Sequence, residues 1–334
     1  MVRLSAIARE EERKHAAELE SEYERRRNRF RILVCLNGTE PAYDGIRLAA
    51  DIGRGDECDI VLLYVRRIDQ GLNSGGLQVR VARQNMLDWG LELPGIGYLK
   101  TGLARLIDAG ELAKKWKTMA SHTDVFGDPL GDNKVEYRSR SGKSIVLKLK
   151  IAVDVTTGIL DQYELGPYNL IITGPPKRWR GEFSGFSDPS TVQKVAMLAP
   201  CSVLTNRGAE NGEGFLICID GSQHALESMR RAAVLANHSR QAITLLSVAK
   251  TKDDVPAVKK ELSSAAAELK KMGLKVARTV APVGDPVREI VEIGKKFKLI
   301  VVADSGKSRV KRFVAGSVAF DVMGSAATSV LNVR

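Results

Sequence analysis

Aromatic residues make up only 5% of the chain, so Ala, Val, Leu and Ile must fill most of any core. That composition suits parallel sheets covered by helices. Cysteine is scarce too. The four, Cys35, Cys58, Cys201 and Cys218, stand far apart with no C-x-x-C pair, and Cys35 and Cys218 sit inside apolar, strand-like runs. They read as reduced, buried residues of an intracellular protein. The four histidines, His15, His122, His224 and His238, are equally dispersed, and no metal site is indicated. No apolar run approaches the length of a membrane span. The first thirty residues are dense in Glu and Arg, unlike a secretory signal. The expectation is a cytoplasmic protein with no membrane partner.

Catalytic signatures are missing as well. There is no G-x-S-x-G, no H-E-x-x-H and no Cys/His pairing. Two Gly-Lys-Ser triplets, Gly142–Ser144 and Gly306–Ser308, evoke a Walker loop. Each lacks the glycine required five positions earlier, where Tyr137 and Val301 stand.

What the chain does have is length, charge and internal repetition. Its 334 residues exceed one ordinary α/β domain and suit two. The net charge of +11 raises the question of nucleic acid, because clustered cations release counterions from phosphates. The basic runs at 25–27, 177–180 and 307–312 are short, scattered and free of interleaved aromatics. They read as a solubilising surface with a local anion site, and no nucleic-acid partner is expected. Residues 1–30 read as a charged helical extension, with Glu10–Lys14 and Glu22–Arg26 at i,i+4 spacing.

The repeat is visible by comparing the chain with itself. Arg31-Ile-Leu-Val-Cys-Leu-Asn-Gly-Thr39 has a counterpart in Phe215-Leu-Ile-Cys-Ile-Asp-Gly-Ser222. Each apolar strand stops at an Asx-Gly-hydroxyl turn. A helix follows, with Arg47-Leu-Ala-Ala50 in one copy and Arg230-Arg-Ala-Ala233 in the other. Further strands recur at Asp59–Val65 and Ala242–Val248, at Asn169–Thr173 and Leu299–Ala303, and at Ser202–Leu204 and Ser329–Leu331. Alternating strands and helices demand a parallel sheet with helices on both faces. We divide the chain into an N-terminal domain at 31–206, with an insertion at about 69–133, and a C-terminal domain at 207–334. Within the insertion, a helix is expected around Ala104–Met119 and a turn-rich stretch over Phe126–Asn133. A strand is expected near Val135–Arg138.

The C-terminal copy resembles the universal stress protein family. Ile217-Cys-Ile-Asp-Gly-Ser222, Gly284-Asp-Pro286, Leu299-Ile-Val-Val-Ala303 and Gly306-x9-Gly316-Ser317 carry the likeness, which covers 215–333 well and 31–67 and 164–206 loosely. The resemblance implies two tandem α/β domains, each an open parallel five-stranded sheet of order 3-2-1-4-5. It also implies an adenine-nucleotide site for ATP, with or without magnesium. Cys218 and Val248 would flank the adenine, Asp220 would hold the ribose, and Val302, Ala303 and Val318 would supply backbone contacts. Gly306, Gly316 and Ser317 would surround the phosphates. Ala303 departs from the motif's first glycine, which puts a methyl where the family has none.

The N-terminal copy has Asn37 for the acid, Lys177 for the second glycine and Pro189-Ser190 for Gly-Ser, and its site reads as degenerate. The last strands of the two copies could pair within the chain as a pseudo-dimer, with further homodimerisation through the N-terminal helix. Three functions stay open: an ATP-binding regulatory or stress-response protein, a nucleotide-free interaction scaffold, and an ATP-using enzyme.

Overall fold

A computed structural model describes residues 29–53, 58–68, 95–112, 116–125, 128–162, 167–175, 190–208, 212–303 and 318–334. Residues 1–28 of the N-terminal extension and the Gly306, Gly316 and Ser317 positions lie outside the described residues, and Phe30, expected in the extension, is strand.

The strands are β1 (Phe30–Cys35), β2 (Cys58–Arg67), β3 (Lys117–Val125), β4 (Asp128–Arg138), β5 (Ser144–Ala152) and β6 (Leu170–Thr173). After them come β7 (Ser202–Thr205), β8 (Phe215–Cys218), β9 (Ile243–Leu246), β10 (Val276–Val280), β11 (Leu299–Ala303) and β12 (Ser329–Val333). The helices are α1 (Glu40–Ile52), α2 (Ile96–Asp108), α3 (Val155–Leu160), α4 (Thr191–Leu198), α5 (Gln223–His238), α6 (Val255–Lys271), α7 (Pro286–Gly294) and α8 (Val318–Ser325).

The twelve strands of the described residues form one sheet, in the order β10-β9-β8-β11-β12-β7-β6-β1-β2-β5-β4-β3. The five strands β8 to β12 run parallel in the order 3-2-1-4-5, and β1, β2, β5, β6 and β7 repeat that order. The two domains are therefore tandem copies of one doubly wound fold. Where they meet, β7 and β12 pair antiparallel, Thr205 opposite Val330 and Val203 opposite Asn332. Arg207 N–H donates to Ser329 Oγ at 2.9 Å, and Ser329 Oγ donates to Asn206 Oδ1 at 3.0 Å, whereas the buried Thr205 Oγ1 and Asn332 Oδ1 of the paired strands have no hydrogen-bond partner among the described residues.

Period-two alternation sorts the strand side chains into two layers. Ile32 and Val34 face one layer with α1, α2, α5 and α6; Leu33, Val61 and Leu63 face the other with α3, α4, α7 and α8. Each layer runs through both copies. Side-chain caps fix the starts of α5 and α7. Ser222 Oγ accepts from Ala225 N–H at 3.2 Å on α5, and Asp285 Oδ1 accepts from Arg288 N–H at 2.9 Å on α7.

The insertion differs from its expectation. The helix ends at Asp108, so Lys117–Met119 are strand, and Asp128–Asn133 belong to β4 instead of a turn. Strands β3 and β4 form an antiparallel hairpin, and Val135–Arg138 pairs with the true third parallel strand, β5. Cross-strand pairing, not local preference, decides these residues. Asp132 of β4 accepts from Lys150 Nζ and from Ile151 N–H of β5, both at 2.7 Å, and this ties the hairpin to the sheet. The first Gly-Lys-Ser triplet is the turn between β4 and β5. Lys143 Nζ donates to Gly53 O at 3.0 Å and contacts Glu111, while Ser144 N–H donates to Asp59 Oδ1 at 2.8 Å. Its polar groups hold the fold and face no phosphate.

Candidate functional site

A crevice of about 290 Å³ opens at the carboxyl ends of β8, β9 and β11. The winding direction reverses between β8 and β11, and open α/β sheets bind ligands at such a point. Cys218 ends β8 and Asp220 stands in the turn after it, Val248 follows β9, Val302 and Ala303 end β11, and Val318 starts α8. The six described residues of the expected site thus line one space. Gly306, Gly316 and Ser317 fall in 304–317, outside the described residues. Another cavity of about 330 Å³ lies at the starts of β8, β11 and β12, lined by Phe215, Leu299 and Ser329 with Asp44 and Arg47. It is at the wrong end of the strands for the switch point.

The Asx-Gly turn shapes the mouth of the crevice. Asp220 Oδ1 accepts from Ser222 N–H at 3.1 Å and from Ser222 Oγ at 2.6 Å. Gly221 sits at φ +76, the left-handed region that suits glycine. One carboxylate oxygen is thereby engaged in the turn, and Asp220 remains exposed. The N-terminal copy builds the same turn, with Asn37 Oδ1 accepting from Thr39 N–H at 3.1 Å and from Thr39 Oγ1 at 2.7 Å.

Above the turn the copies diverge. A Cβ at Gly38 would lie 2.5 Å from the ring of Tyr98 on α2; a Cβ at Gly221 would lie 2.9 Å from the carboxylate of Glu261 on α6. Tyr98 also packs edge-on against Tyr64, centroids 5.5 Å apart. By sheet register, Tyr64 corresponds to Ser247 of the C-terminal copy, since Cys35 pairs with Leu63 and Cys218 with Leu246. Two tyrosines therefore occupy in the first copy the place that Glu261 and Ser247 leave as crevice in the second.

Ala303 is compatible with its position. It lies in β11 opposite Val333, and among the described residues only Arg240 is a non-glycine with positive φ. The backbone here does not require glycine. The Cys218 thiol is pushed far up by burial, so it stays a neutral, apolar wall and not a nucleophile.

Glu261 was absent from the sequence reading. It lies within a helix rich in Lys, Glu and Ala, where no motif marks it. Its Oε1 is buried without a hydrogen-bond partner among the described residues. Burial first, and the Asp220 charge second, push its carboxyl above the usual range. The folded state therefore holds this proton to higher pH than the unfolded chain. Stability is intact below the ordinary carboxylate range and is lost as pH rises through the raised value. Glu261→Gln is expected to raise the melting temperature at pH 7, by at most roughly a few degrees. The gain should fade below about pH 4. A variant that melts below the parent at pH 7 would reveal a stabilising partner for the carboxylate.

Comparisons with known proteins bear on the fold. The model of the universal stress protein family matches residues 214–334. No curated protein matches the chain by sequence. A universal stress protein structure from Archaeoglobus fulgidus aligns over 91% of this chain and 96% of its own, at 14% identity and TM-score 0.58. A protein from Pseudomonas aeruginosa aligns over 91% of this chain and 92% of its own, at 13% identity and TM-score 0.54. A second Archaeoglobus fulgidus universal stress protein, solved in complex with dAMP, aligns over 36% of this chain and 97% of its own, at 22% identity and TM-score 0.31. Two tandem domains share the universal stress protein fold, and residues 214–334 match the model of the universal stress protein family.

Proposed function

We propose that the C-terminal domain binds an adenine nucleotide, ATP foremost, and that the protein is a nucleotide-responsive regulatory protein with a single working site. The observation that carries this reading is the crevice at the switch point, apolar along Cys218, Val248, Val302 and Val318 and acidic at Asp220. Apolar walls with few placed polar groups suit a planar base carrying a hydroxylated sugar. The residues fit the group. Val248 and Cys218 would hold the base, the Asp220 carboxylate would accept from the sugar, and Ala303 and Val318 would offer backbone contacts. By resemblance, Gly306, Gly316 and Ser317 would take the phosphates, where a helix start favours negative charge. When bound, the nucleotide supplies a phosphate chain whose occupancy a partner can sense.

The domain boundaries proposed here are 31–206 and 207–334, after an N-terminal extension. The antiparallel pairing of β7 with β12 supports an intramolecular pseudo-dimer, because each domain's last strand covers the other's edge.

Isothermal titration of the purified chain with ATP tests the nucleotide reading. Saturable binding that Gly316→Val abolishes, with unchanged melting, is the expected result. A chain that takes up no ATP at millimolar concentration would instead be a scaffold of the same fold.

A further inference from the structure

We propose that Glu261 reads the sugar of the bound nucleotide, its buried Oε1 accepting a hydrogen bond from a ribose hydroxyl beside Asp220; this rests on the nucleotide reading above. The geometry comes from α6. Glu261 immediately precedes the buried anchor Leu262, so the packing of that helix holds its carboxylate against the Gly221 turn. The arrangement is costly as it stands. A carboxylate oxygen is buried without a donor, and a second carboxylate lies close enough to disfavour its charge.

Among the described residues nothing offsets that cost, whereas a donor-bearing ligand would. Ionised carboxylates only accept, so two of them side by side call for a ligand with two adjacent donors. A vicinal diol has that pattern, one O–H for each acid. A divalent cation would need more oxygen ligands than this pair provides. No cluster of three or more His, Cys, Asp or Glu residues occurs among the described residues. The other copy gives the contrast. There the ring of Tyr98 fills the corresponding place beside the turn glycine Gly38.

The test compares ATP with 2′,3′-dideoxyATP, which carry the same base and phosphates, on the parent, Glu261→Ala and Glu261→Gln. The parent should prefer ATP by roughly tenfold or more. Glu261→Ala should lower that preference by about tenfold through weaker ATP binding, with dideoxyATP binding unchanged or tighter. Alanine favours helix, so α6 should persist, and thermal melting checks it. Glu261→Gln keeps an acceptor oxygen and should retain part of the preference. If ATP binds and the ratio is the same in all three proteins, Glu261 does not read the sugar and the nucleotide reading stands. If neither nucleotide binds the parent, the nucleotide reading fails and takes the sugar contact with it.

Discussion

Asp59→Ala is expected to destabilise the protein by about 3–5 kcal/mol, the scale for breaking one side of a buried ion pair. Asp59 sits on β2 with 1% of its side chain exposed, and its Oδ1 accepts from Arg29 Nε at 2.8 Å. The same oxygen takes the Ser144 N–H at 2.8 Å, and Oδ2 lies 4.0 Å from the Nε of Arg31, itself 1% exposed. Truncation therefore removes the carboxylate that faces a buried guanidinium and strips a backbone donor at the start of β5. Asp59→Asn, which keeps an acceptor for Ser144 without the charge, should fall between parent and Ala. Denaturant unfolding monitored by circular dichroism measures the series. A loss under about 1 kcal/mol for Ala would mean that other groups around Arg31 carry its charge.

Asp220→Ala should weaken ATP binding by roughly 1.5–3 kcal/mol, a factor of about 10 to 150, whereas Asn37→Ala should leave it unchanged. The side chain has two roles, and they can be separated. Its Oδ1 organises the turn through Ser222, as Asn37 does through Thr39 in the other copy. Asp220→Asn preserves that turn and removes only the charge. It should recover less than half of the lost binding energy if the charged acceptor matters. The Asn37 variant should be silent because Tyr98 stands over Gly38, where a sugar would have to enter. Equal losses from Asp220→Ala and Asn37→Ala would show that the first copy also holds nucleotide.

The extent to which the site was legible in the sequence follows from its chemistry. Asp220, Val248 and Val302 belong to strand ends and turns whose local pattern is distinctive, and the register brings them to one crevice. Glu261 has no such pattern. Its role depends on how α6 lies over the Gly221 turn, a long-range packing outcome. The first copy reads as degenerate from Asn37, Lys177 and Pro189. The Tyr64–Tyr98 pair above its turn joins residues 34 positions apart and is visible only in space.

By itself the sequence determined the parallel, doubly wound class and its duplication, because buried stretches such as Ile32–Val34 and Leu299–Val302 read as unbroken apolar runs. It did not determine the strands that lie at or near the sheet's ends. Strand β10 exposes Ala277, Arg278 and Thr279, and β5 interleaves Lys148 and Lys150, whose charges are answered by Asp132 across the ladder. Lys117–Val125 carries too few apolar residues to declare itself and is strand because β4 pairs with it. Periodicity records only what a segment buries, so elements held by a neighbour's hydrogen bonds leave little trace in their own residues. The same reason covers the joining of the two copies through β7 and β12. Each strand's apolar run announces that it is buried, and only the tertiary structure decides against which partner.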